Sequence, residues 1–129
     1  MDVGNPSNFP RLVELHEGSY EKVKSNVSGA FFNDEETRKA MSQVYHDKNY
    51  IMCPHTAVGY LGVKEHLKDN QIGVFLGTAD PSKFADIVEE EIKTDVEIPQ
   101  RLKDIINKKK VSIKMEKDFD GFKTWLLNN

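Results

Sequence analysis

The sequence predicts a helix-rich α/β fold, in which a small, few-stranded sheet with a parallel core strand is packed among amphipathic helices. Three observations carry this. Apolar residues recur at helical spacing along most of the 129 residues. Ile72-Gly73-Val74-Phe75-Leu76 is apolar throughout and too short for a helix, the pattern of a buried parallel strand. Val111, Ile113 and Met115 alternate with Ser112, Lys114 and Glu116, as in a half-exposed strand. No repeat, low-complexity tract or Pro/Gly/Ser-rich linker divides the chain, so residues 1–129 are expected to form a single domain.

In chain order, Asn5, Ser7 and Asn8 are helix-capping types and Pro10 suits a first turn, so a short helix is expected from Phe9 to Glu17, stopped by Gly18. Val27 to Phe32 reads as a strand or extended segment. Asn33-Asp34-Glu35-Glu36 then places acids at a helix start, where the macrodipole favours them, and the helix is expected to run to Asp47. Met41, Val44 and Tyr45 form its apolar face, with Thr37, Lys39 and Gln43 elsewhere on the wheel. Pro54 forces the preceding residue to be extended, and a helix apolar over most of its circumference is expected from about Thr56 to Leu67. Asp80, Pro81 or Ser82 starts a further helix through Phe84, Ile87, Val88 and Ile92. Pro99 opens a short helix through Leu102, Ile105 and Ile106, and a last helix, Phe119 to Leu127, is expected to bury Phe119, Phe122, Trp125 and Leu126.

Eighteen basic and twenty-one acidic residues give a net charge of -3, which offers no strong attraction to nucleic acid or an anionic membrane, and neither is expected as a partner. The run Lys108-Lys109-Lys110 has no interleaved aromatics and reads as a solvated helix end. No apolar stretch approaches the roughly 18 residues of a membrane span, and the N-terminus lacks a basic region followed by a hydrophobic one. A single cysteine, Cys53, excludes an internal disulfide and is typical of a reduced compartment, so the expected location is cytoplasmic.

The chemistry concentrates at the strand-to-helix corner Gly77-Thr78-Ala79, where open α/β sheets bind ligands. The Thr78 hydroxyl lies beside small neighbours with a helix start close behind, which suits a ligand acceptor or an anion; a simple turn former is the competing reading. Gly73 to Gly77 does not match a phosphate loop, because Asp80-Pro81-Ser82-Lys83 stands where Lys-Ser would follow. Cys53 and His55, two apart, raise a thiol–imidazole pair or a zinc site. In an extended segment they point to opposite faces, and His16, His46 and His66 do not cluster with them, so no metal site is expected.

Three segments taken in order, Pro6-Ser7-Asn8-Phe9 with Arg11, Cys53-Pro54-His55-Thr56-Ala57-Val58-Gly59-Tyr60, and Gly77-Thr78-Ala79-Asp80-Pro81-Ser82-Lys83-Phe84, resemble the C-terminal third of threonine synthases. The likeness carries recognisable motifs over residues 1 to 92 and continues in outline to the end. Cys53 stands where the family usually has aspartate, and Asp80 where it usually has histidine. The resemblance implies part of a fold-type II pyridoxal-phosphate enzyme that converts O-phosphohomoserine and water to threonine and phosphate. It implies that Thr78 is the hydroxyl residue facing the pyridine nitrogen of pyridoxal phosphate. The family's Schiff-base lysine and phosphate-cradling loop have no counterpart in these residues, and Lys83 is not that lysine. Met1-Asp2-Val3 resembles an internal Met-Asp of the family, so the start reads as a truncation point. The chain alone is expected to be inactive, to partner the missing N-terminal part of the enzyme, and to self-associate through exposed apolar surface. A stand-alone helical binding module, or a small cysteine or zinc enzyme, are the alternative readings.

Overall fold

The computed structural model describes residues 6–129; the capping role of Asn5 and the reading of Met1-Asp2-Val3 lie outside the described residues. The described residues contain helices and no strand, which corrects the expected α/β architecture with its parallel core strand. Two compact units are distinguished, one ending at Val96 and the other spanning Glu97–Asn129.

In the first unit α1 (Phe9–Leu15) has Pro10 in its first turn, and Gly18, at φ 68, closes the turn that follows. A helix not expected from the sequence, α2 (Tyr20–Asn26), starts at Ser19, whose side chain accepts a hydrogen bond from the Lys22 N–H at 3.3 Å. Its apolar pattern is faint and it buries no residue, so hydrophobic periodicity carried no signal for it. The long α3 (Asp34–Lys48) begins with a complete capping box. Asn33 Oδ1 accepts from the Glu36 N–H at 2.9 Å and Glu36 Oε2 accepts from the Asn33 N–H at 2.8 Å. Asn49 ends the helix in the left-handed region at φ 52, where asparagine is tolerated best after glycine.

Pro54 opens α4 (Pro54–His66) at the first helical position, two residues before the expected start, with Cys53 extended ahead of it. A 3₁₀ turn (Pro81–Phe84) leads into α5 (Ala85–Ile92). Helix α3 packs against both α4 and α5. The core where they meet comprises Ala40, Met41, Val44, Met52, Ala57, Val88, Ile92 and Val96, flanked by half-buried Tyr45, Ile51, Tyr60, Leu61, Phe75, Phe84 and Ile87. Thr37 joins the buried face of α3 rather than falling elsewhere on the wheel, because its hydroxyl donates to the Asn33 carbonyl at 2.8 Å and so presents no unpaired polar group to the core. Across the α3–α5 surface Arg38 donates to Glu90 and to Glu91, both at 2.9 Å.

The segment Ile72 to Leu76 is extended but pairs with nothing, and Ile72, Val74 and Leu76 are 93%, 74% and 75% exposed. A strand exists only as a member of a ladder, since its N–H and C=O groups need a neighbouring chain. No described residue supplies that neighbour, so the apolar run marks surface to be covered rather than surface already covered. Val27 to Phe32 is irregular for the same reason, and Phe31 is exposed.

In the second unit α6 (Gln100–Ile106) follows Pro99, and α7 (Phe119–Asn128) is capped by Asp118, which accepts from the Asp120 and Gly121 N–H groups at 3.3 and 2.6 Å. The expected strand at Val111 to Met115 is unpaired and exposed. Phe119, Phe122 and Leu126 are exposed and Trp125 is half-buried, contrary to the burial expected of α7. Amphipathic spacing identifies which face is apolar, and burial requires a second surface to meet it.

Candidate functional site

The corner at Thr78 is held in place by how its approach packs on α4. Gly73 lies so close to Val63 that a Cβ there would collide with the Val63 side chain, so glycine permits the close approach. Phe75 meets the Tyr60 ring edge-on, with centroids 5.6 Å apart and planes at 72°. These contacts lay the extended segment along α4 and deliver Gly77 beside its first turn.

There the segment meets residues from two other parts of the chain. A cleft of about 310 Å³ is lined by Tyr50, Ile51, Cys53, Thr56, Gly77, Thr78, Ala79, Asp80 and Pro81. Its size falls at the lower end of small-molecule pockets. Behind it the buried Cys53 Sγ and Thr56 Oγ1 are hydrogen-bonded to each other at 3.2 Å. Thr56 is buried and touches Cys53, whereas Thr78 is exposed at the cleft wall. Tyr50, from the connector between α3 and α4, brings its hydroxyl to the same place.

The anion reading of this corner is not supported by the backbone. Asp80 Oδ1 accepts from the Ser82 N–H at 2.9 Å and from the Ser82 hydroxyl at 2.6 Å, and the Asp80 carbonyl accepts from the Lys83 N–H at 3.1 Å. The N–H groups of Ser82 and Lys83 are therefore spent on Asp80, and a carboxylate stands beside the start of the 3₁₀ turn. Beside that carboxylate, the corner presents the hydroxyls of Thr78 and Tyr50.

Cys53 and His55 are drawn apart in function. Cys53 is buried against Thr56, while His55 is exposed and its ring lies 5.0 Å from that of Phe84. Among the described residues no three His, Cys, Asp or Glu side chains gather into a metal-holding group. Lys83 is exposed and does not line the cleft. Elsewhere His16 and His66 are tied to the carbonyls of Leu12 and Gly62 at 2.9 and 3.0 Å, as ordinary helix-surface contacts. A shallow recess on α3, lined by Glu35, Arg38, Lys39, Ser42, Gln43, His46 and Glu91, holds its guanidinium already paired. Hydrogen bonds to Glu90 and Glu91 raise the Arg38 pKa further above its normal value, and hydrogen bonding to Arg38 holds the Glu90 carboxyl below the usual range.

Sequence reasoning singled out the Gly77-Thr78-Ala79 corner and the Cys53–Ala57 segment, which meet at one cleft, but not Tyr50 or the contact between Thr56 and Cys53. Thr56 stood inside a recognised motif. Tyr50 carried no signal, because only packing brings the α3–α4 connector to the corner.

These elements together form the wall of a small cleft, with the Thr78 hydroxyl exposed at it. Residues 56–125 match the family described as threonine synthase, C-terminal, and the chain belongs to that family. Threonine synthase of Buchnera aphidicola subsp. Schizaphis graminum is 33% identical over 127 residues, covering 98% of this chain and 29% of that protein. The crystal structure of threonine synthase from Escherichia coli superposes with a TM-score of 0.74 at 30% identity, over 99% of this chain and 29% of that one. An X-ray structure of PLP-bound threonine synthase from Brucella melitensis matches 84% of this chain and 29% of its own, with a TM-score of 0.62 and 23% identity, a likeness of fold alone. The chain thus spans under a third of the length of the relatives it matches.

Proposed function

We propose that residues 1–129 act together as the C-terminal portion of a pyridoxal-phosphate-dependent threonine synthase, which converts O-phosphohomoserine and water to threonine and phosphate, and that Thr78 is its contact to the cofactor's pyridine nitrogen. The observation that carries this reading is the exposed Thr78 hydroxyl on the wall of a ligand-sized cleft, in a chain of the threonine synthase family. The residues present fit that group. A pyridine edge needs one hydrogen-bonding partner and a flat approach; Thr78 offers a hydroxyl and Gly77 leaves the adjoining wall bare.

Bound pyridoxal phosphate supplies the electron-withdrawing ring on which the family's chemistry depends. The part assigned to this chain is to set the character of that ring. The Thr78 hydroxyl would donate to the ring nitrogen without surrendering its proton, since an aliphatic hydroxyl is far too weak an acid to do so, and would leave that nitrogen neutral. A carboxylate there would instead favour the protonated nitrogen. Buried Cys53 and Thr56, bonded to each other, form the floor beside this contact.

In this reading the remaining length of the enzyme is the partner, supplying the Schiff-base lysine and the phosphate cradle, so the isolated chain has no synthase activity. The exposed Ile72, Val74 and Leu76 support self-association of the isolated chain, which light scattering reads directly; a monodisperse monomer at high concentration counts against it. No described helix is long and apolar enough to cross a membrane. The single cysteine and the family's biosynthetic role support a cytoplasmic location.

The test is Thr78→Val in the full-length enzyme. It preserves shape and removes the donor, so the bound cofactor's absorption band should shift and turnover should fall by at least tenfold with the melting temperature unchanged. An unaltered band and rate would remove Thr78 from the site.

A further inference from the structure

We draw no further inference here: the strongest candidate, the outward apolar face that Ile72, Val74 and Leu76 present on the extended segment lying along α4, is left exposed, and nothing in the structure shows what covers it.

Discussion

Met41 is the residue on which the first unit's stability should depend most sharply. It is 1% exposed, on the face of α3 that meets α4 and α5, and belongs to the core with Ala40, Val44, Ala57, Val88 and Ile92. Met41→Ala deletes the side chain beyond Cβ, equivalent to about three methylene-sized groups. At about 0.8 kcal/mol each the transfer contribution is about 2.4 kcal/mol. Helix α3 is fixed at its start by a capping box and tied to α5 by Arg38, so the void cannot fully close and a cavity contribution adds to this, for a total of about 3 kcal/mol. Arg38→Ala provides the internal scale. Its side chain is partly exposed and its ion pairs are screened by solvent, so it should cost far less despite making two short hydrogen bonds. Urea unfolding of the wild type and both variants, followed by circular dichroism, measures the two losses against each other. A Met41→Ala loss below about 1 kcal/mol, or one smaller than that of Arg38→Ala, would refute the assignment of Met41 to a closed three-helix core.

Acidification provides a further check, because the Glu90 carboxyl is held below its normal pKa of 4.5 chiefly by the hydrogen bond from Arg38. A lowered folded-state pKa means the pair stabilises fully above the unfolded value and is lost as pH falls through the folded one. The stability difference between wild type and Glu90→Gln should therefore be present at pH 7 and vanish below the carboxylate range; an equal difference at pH 7 and pH 3 would remove the pair from the α3–α5 surface. Arg38, raised above an already high value, stays charged across this window and adds no slope of its own. Gly73→Ala should destabilise by about 1–3 kcal/mol through overpacking against Val63 and should loosen the Thr78 corner. Unchanged unfolding in that variant would mean the extended segment does not lie on α4 as described.

The helices that carry the site were largely legible along the chain. Asn33 with Glu36, Pro54 at a first turn and the Asp80-Pro81-Ser82 start are local devices, satisfied by backbone groups within a few residues, so their meaning is contained in the sequence around them. The same holds for Met41, Val44, Val88 and Ile92, whose helical spacing marks a face that must be covered. Thr37 and α2 escaped notice because a side-chain-to-backbone bond in one and a lone serine cap in the other leave no trace in hydrophobic periodicity.

Strands and sites are non-local, and there the sequence reached its limit. Ile72 to Leu76 has the composition of a parallel strand, yet a strand is a relation between two chains, and its partner lies among no described residues. Phe119, Phe122 and Leu126 of α7 are amphipathic by spacing and exposed in fact, for want of a second surface. By itself the sequence determined the helix starts, the apolar faces and, through three ordered motifs, the family and the candidate Thr78. Only the tertiary structure decided that Thr78 is exposed on a cleft while Thr56 is buried against Cys53, that Asp80 takes the N–H groups of Ser82 and Lys83, and that Tyr50 and Gly77 share the cleft wall. The physical reason is that capping and periodicity act over a few residues, whereas a cleft is made by whichever distant side chains the core brings together.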